Sequence, residues 1–274
     1  VKEAAIWFET LRSTSKKYVA DCTYYLSYIR YTQQRYDDAL TGFLSLQDNE
    51  KYKALVPYYI AEIYLIKKNY DKAEIVAQNY LSAYPNNEYT AEMYRVLGDA
   101  DYHFGKYHEA MGAFEKYLAN NKEEAPRRDA LYMLGLSYYH SGVYTKAANT
   151  LGEVATGNDA LSQNAYLHMG LSYLQMGDKN KARMAFEQAS ASNANMQIKE
   201  QAAYNYALCI HETSYSAFGE SVTVFEKFLN EFPNSQYVDK VSSYLVEVYM
   251  NTRSYEAALK SIAKIEHPGT RILE

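Results

Sequence analysis

The sequence predicts an all-α protein, built as an array of antiparallel helix pairs. Three observations lead there. Helix breakers are scarce, with 5 Pro and 12 Gly in 274 residues, while strong helix formers such as Ala, Leu, Glu, Lys and Gln are plentiful. Small residues recur at Ala4, Ala39, Ala73, Ala110, Ala147, Ala182, Ser221 and Ala258, in steps of 35, 34, 37, 37, 35, 39 and 37 residues. A period near 34 suits a helix–turn–helix unit that stacks on copies of itself, because such a unit cannot bury its apolar face alone. The stretch Leu131–Leu151, LYMLGLSYYHSGVYTKAANTL, shows the unit in full. It reads Leu131-x2-Leu134-Gly135-x2-Tyr138, then Gly142-x-Tyr144, then Ala147-x3-Leu151. Large apolar residues fall at helical spacing, small ones sit where two helices touch, and a glycine marks the turn.

The other copies follow in order. Residues 1–19 open with VKEAAIWFETL, which aligns with YHEAMGAFEKYL at Tyr107–Leu118. This is a second helix without its first, and it leaves Trp7 and Phe8 short of cover. Residues 20–53 hold the first full pair, Tyr24-x2-Ser27-Tyr28-x2-Tyr31, Tyr36, Ala39 and Phe43. Tyr28 stands where other copies have a small residue, so its bulk should part the helices or be absorbed at Ser27. Residues 54–90 carry Ile60-Ala61-x2-Tyr64, Tyr70 and Ala73. Pro57 is tolerated at that helix start, and Pro85 stops the second helix. Residues 91–127 carry Tyr94-x2-Leu97-Gly98, Gly105-x-Tyr107 and Ala110-x3-Phe114. The full copy occupies 128–162. Residues 163–199 carry Tyr166-x2-Met169-Gly170-x2-Tyr173, Gly177 and Ala182-x3-Phe186. Residues 200–238 are the weakest copy, with a longer turn expected between Thr213 and Gly219. Residues 239–268 carry Leu245-Val246-x2-Tyr249, Tyr255 and Ala258-x3-Ile262, and 269–274 begin a further copy. The expectation is one array over 1–274 with a leading half repeat and seven pairs. Both ends stop in mid-pattern without a polar cap, which points to a piece of a longer protein.

Composition narrows the function. A net charge of −5 and a pI near 5.8 argue against nucleic acid, whose binding rests on Lys and Arg displacing counterions. No run approaches the ~20 apolar residues of a membrane helix. Cys22 and Cys209 lie several repeats apart, so they are expected to be free and buried. Tyrosine is over-represented, at 31 residues. Most of these fall on the repeat's own packing positions, with the hydroxyl at the helix edge.

These residues resemble the tetratricopeptide (TPR) signature, W-x2-L-G-x2-Y followed by A-x3-F, with Leu131 in the tryptophan's place. Leu134-Gly135-x2-Tyr138 with Ala147, and Met169-Gly170-x2-Tyr173 with Ala182 and Phe186, are the nearest copies. The resemblance runs from Val1 to about Glu266. It implies an α-solenoid, a right-handed superhelix of antiparallel helix pairs whose first helices line a concave groove. A softer likeness lies in Phe228-Leu229-x2-Phe232-Pro233-Asn234-Ser235-x-Tyr237 and in Tyr80-Leu81-x2-Tyr84-Pro85-Asn86-Asn87-x-Tyr89. Both look like bacterial envelope variants of the family, of the outer-membrane assembly lipoprotein and Tol–Pal coordinator type. That likeness implies a periplasmic or envelope-associated scaffold; a cytoplasmic location is the alternative.

With the anchors facing inward, the groove is expected to hold Tyr25 and Ile29, Tyr58 and Glu62, and Arg95, Asp99, Tyr102 and His103. It continues with Asp129, Tyr132, Leu136, Tyr139 and His140, then Leu167, Leu171 and Leu174. Aromatic and aliphatic residues with scattered acids suit a protein or peptide partner with apolar and some basic residues. The basic clamp with which some relatives grip a C-terminal carboxylate is absent; Asp21, Glu62, Glu92 and Asp129 stand there instead. His103 and His140 occupy matching places but lack a third metal ligand, so no metal and no cofactor is expected. No nucleophile–base pair is legible, and the expectation is a non-catalytic scaffold. The alternative is a docking arm for a catalytic domain outside these residues, and the uncapped ends leave a route to self-association.

Overall fold

The structure is a computed structural model that describes residues 2–213, 219–252, 255–266, 268 and 272. Among them are fifteen α-helices, one short 3-10 turn and no strands. A leading helix is followed by seven helix pairs, as the anchor spacing predicts. The chain separates into two compact units, Val1–Ser137 and Tyr138–Glu274.

The first unit contains α1 (Lys2–Thr14), α2 (Val19–Thr32), α3 (Tyr36–Leu44), α4 (Val56–Ile66), α5 (Tyr70–Ala83), α6 (Thr90–His103) and α7 (Tyr107–Asn120). The helix α8 (Arg128–His140) begins in it. Even-numbered helices are the first of each pair, odd-numbered ones the second. Ala39, Phe43, Val56, Ile60 and Ile63 form one fully buried cluster, and Ala61, Ala73, Ala77, Met93 and Val96 form the next. Tyrosines join the layers: Tyr24 stacks on Tyr52 at 4.8 Å, Phe43 on Tyr59 at 4.9 Å and Tyr58 on Tyr89 at 4.9 Å. Ser27 is fully buried and faces Gly42, where any Cβ would collide with its hydroxyl. Tyr28 turns outward, 41% exposed and edge-on to Tyr59, so its bulk never enters the helix contact. The equivalent contact in the third pair is Gly98, whose missing side chain makes room for the Phe114 ring. On α1, Trp7 is 75% exposed, while Phe8 stacks on Tyr25 at 5.1 Å.

The second unit contains α9 (Tyr144–Val154), α10 (Ala160–Gln175), α11 (Lys179–Ala191), α12 (Met196–Thr213), α13 (Glu220–Glu231), α14 (Val238–Thr252) and α15 (Tyr255–Ile262). Gly170 on α10 lies under Phe186 of α11 as Gly98 lies under Phe114; a Cβ there would meet the ring at 2.5 Å. Buried Gln163 ties the pair's end to the next one. Its amide donates to the carbonyls of Ala189 and Ser192, and its oxygen accepts from the Asn195 N–H. Phe225, Phe228, Val241, Leu245 and Val248 form the last core cluster. The long turn expected after Thr213 falls on 214–218, and the further repeat expected at 269–274 falls there too, Ile272 excepted; both lie outside the described residues.

One turn recurs at five joints. Gly105, Gly142 and Gly177 have φ near +75°, and Gln34 and Lys68 take φ of 61° and 57° at the same place in the first two pairs. Each time the turn residue's N–H bonds a carbonyl three residues back, and the next N–H bonds one five back, as in Gly105 to Tyr102 (2.9 Å) and Lys106 to Asp101 (2.9 Å). This satisfies the orphan carbonyls of a helix end through one left-handed residue. Cys22 and Cys209 are buried and free.

Candidate binding face

Of the residues expected along the groove, the charged ones, Glu62, Arg95, Asp99 and Asp129, all lie in the first unit. Glu92, Arg95 and Asp99 share one face of α6, because their spacing of three and four residues returns to the same side of a helix. The Tyr84-Pro85-Asn86-Asn87 turn sets where that helix begins: Asn87 N–H donates to Thr90 Oγ1 at 2.8 Å, and that hydroxyl donates to the Tyr84 carbonyl at 3.0 Å. Asn87 Oδ1 also accepts the Tyr80 hydroxyl at 2.7 Å. The Pro-Asn motif therefore has a local architectural role.

Arg95 is 4% exposed, and each of its nitrogens has a carboxylate. Nε donates to Glu92 at 2.7 Å, one terminal nitrogen to Asp99 at 2.9 Å, and the other to Glu62 on α4. Just before α8, Arg127 donates to Asp129 at 2.6 Å and lies 3.7 Å from Glu92. Its own N–H donates to the Tyr117 hydroxyl at 2.9 Å. Four carboxylates thus surround two guanidiniums, leaving a formal charge of −2. Burial pushes the Asp99 carboxyl up to about 6 against the pull of Arg95. Burial also raises Glu92, with Arg127 opposing it, and lowers Arg95. Asp129 is the exception. Burial acts to raise it, but the hydrogen bond and charge of Arg127 outweigh that and hold it below its ordinary value. Tyr58 flanks the network, and its hydroxyl is pushed up to about 12 by burial and then by Glu92. Tyr132 is likewise pushed up to about 12, by burial and then by Tyr102.

The remaining predicted residues scatter. Tyr25 is 46% exposed, while Tyr102, Tyr132, Tyr139 and Leu171 are half-buried. Exposed His103 stacks on Tyr70 at 4.0 Å. Tyr139 meets His168 edge-on at 5.7 Å, and His140 is exposed. Two residues are core instead of groove. Leu167 is 2% exposed within the α10–α12 cluster, and Leu136 is 6% exposed. For Leu167 the reason is that residues of both α11 and α12 pack against it, so the open stripe of α10 is narrower than the stripe left by the pair contact alone. Glu62 and Arg95 are also buried, but into the ion network. Sequence reasoning missed Arg127, which sits in the loop before α8, outside the helical periodicity. Its only local signal was the acid two residues on, at Asp129. Among the described residues no group of three or more His, Cys, Asp or Glu could hold a metal ion, and no helix is long and apolar enough to cross a membrane.

Paired antiparallel helices, one left-handed turn residue inside each of five pairs, and a small residue under an aromatic ring define a helix-pair repeat protein. The comparisons with known proteins agree. A family model described as anaphase-promoting complex, cyclosome, subunit 3 matches residues 103–189, about a third of the chain. A TPR repeat-containing protein of Methanocaldococcus jannaschii is 24% identical over 262 residues, covering 86% of this chain and 43% of that protein. The chain thus spans less than half the length of this curated relative. Among solved structures, the C-terminal part of a TPR repeat-containing protein from Cytophaga hutchinsonii covers 91% of this chain and 98% of its own, with a TM-score of 0.65 and 15% identity. YrrB, described as a TPR protein with an unusual peptide-binding site, covers 72% of this chain and 97% of its own, with a TM-score of 0.58 and 15% identity. Together these likenesses support the tetratricopeptide-repeat family, and the all-helical fold is that of TPR helix-pair arrays.

Proposed function

We propose that the chain is a non-catalytic scaffold that holds a polypeptide against the first-helix face of its first unit. The observation that carries this reading is the charge network of α4, α6 and the approach to α8. It occupies a face that the core clusters do not use; half-buried Tyr58 flanks it, and Tyr102 and Tyr132 lie one turn on from Asp99 and Asp129 along their helices. Rigid aromatic rings beside oriented charges are the usual anchors of a protein interface. The peptide-binding site named for YrrB is a property of that protein; a like fold supports the same use here. The test is a peptide selected from a displayed library against the whole chain, with Tyr58→Ala and Tyr132→Ala compared with the parent by calorimetry. Each variant should weaken binding by about ten-fold or more. Unchanged affinity in both would end this reading.

A second reading rests on the 43% coverage of the archaeal relative: the array is the docking arm of a longer protein with its own activity. An envelope location rests only on the Pro-Asn-x-x-Tyr likeness at Pro85 and Pro233, and fractionation of cells expressing the full reading frame tests it.

A further inference from the structure

The chemistry of that face specifies its occupant more narrowly than a polypeptide. On α2, Tyr25 and Tyr28 are 46% and 41% exposed and offer apolar ring surface. On α4, Tyr58 stacks on Tyr89 at 4.9 Å and flanks the charge network. Arg95 is saturated: its three nitrogens each donate to a different carboxylate. Arg127 is taken by Asp129 and Glu92. The carboxylates are less fully used. Glu62, Glu92 and Asp99 are held by one oxygen each, and carboxylates have two acceptor atoms. The face therefore combines ring surface with a residual charge of −2, in a chain whose net charge is −5. An acidic partner would meet like charge at a partly dehydrated site and be repelled. A basic side chain would meet the free carboxylate edges and a ring on which its stem can lie.

Resting on the docking reading above, we infer that the segment bound by the first unit carries lysine or arginine beside its apolar anchors, and that the base sits at the Glu62–Glu92–Asp99 edge against Tyr58. Charge complementarity selects the partner, while the tyrosines supply sequence-tolerant area.

Fluorescence anisotropy with the whole chain tests this. The probes are three fluorescein-labelled peptides with one shared pattern of leucine and tyrosine, whose polar positions are all lysine, all glutamine or all glutamate. The lysine peptide should bind about ten-fold tighter than the glutamine peptide, and the glutamate peptide weakest. The double variant Glu92→Gln with Asp99→Asn should abolish the lysine preference, so that the lysine and glutamine peptides bind alike; a lysine preference that persists overturns the inference. If that variant does not fold, the parent's lysine preference should still collapse between about 0.05 and about 0.5 M NaCl. Equal or tighter binding of the glutamine or glutamate peptide overturns the inference and leaves the docking reading standing. Failure of all three to bind, or binding that Tyr58→Ala and Tyr132→Ala both leave untouched, overturns both.

Discussion

At the scale of single residues, Arg95 holds together what would otherwise be three crowded acids. Burying a cation is tolerable because its partners repay the lost hydration, and removing it strands their charges. Arg95→Met should therefore lower stability at neutral pH by about 3–5 kcal/mol in urea unfolding. The sign of the pH effect follows from Asp99. Its folded pKa, about 6, lies above the ordinary carboxylate value. The stability contributed by its protonated form is thus full below the unfolded value near 4 and is lost as pH rises through about 6. The Arg95→Met defect should accordingly shrink on moving from pH 7 to pH 5, because protonated acids no longer repel. Carboxyl-detected NMR should show Asp99 titrating near 6 in the parent and higher in the variant. A titration near 4 in the parent would contradict the burial of this face.

At the scale of the helix pair, the recurring turn matters more than the residue in it. Three joints use glycine, and two use Gln34 and Lys68 in the same left-handed conformation with the same two backbone bonds. A side chain in that region costs about 1 kcal/mol, which glycine avoids. Lys68→Gly should be neutral or stabilising by up to about 1 kcal/mol, although the freer unfolded chain offsets part of the gain. Gly142→Ala should destabilise by a similar amount. Thermal unfolding of the two variants checks both directions, and a destabilising Lys68→Gly would mean that the side chain contributes more than the strain removes. The contact inside the pair obeys a like rule. Gly98 under Phe114, Gly170 under Phe186 and Ser27 against Gly42 are solutions to one close approach, with the small partner on either helix.

At the scale of the whole molecule, the docking reading assigns different work to the two compact units. Hydrogen exchange with the lysine peptide bound should slow amides of α4, α6 and α8, within residues 56–137, and leave α13 to α15 unchanged. A footprint confined to residues 196–262 would move the binding face and remove the support that the ion network gives it. Repeat arrays make such local footprints readable, because each repeat contacts only its neighbours.

Much of this was legible before any coordinates. The small-residue period, the Gly-x-Tyr turns at Gly105 and Gly142 and the Ala-x3-Phe contacts are local signals. Each sits within one pair, so sequence spacing alone determines seven pairs behind a leading helix, with Trp7 left exposed. The scattered acids of the first-helix face were also visible as Glu62, Asp99 and Asp129. What remained hidden depends on neighbours distant in the chain. Leu167 looks like a groove residue until α11 and α12 close over it, and Leu136 looks like one until it is found buried. Tyr28 looks like an intruder in the helix contact until Gly42 takes the small residue's place. Arg127 looks like loop until Glu92, 35 residues earlier, stands 3.7 Å from it. The chain's periodicity determines which helices pair, because that information repeats along one dimension. Which charges become buried together was decided only when α4, α6 and the start of α8 were brought side by side.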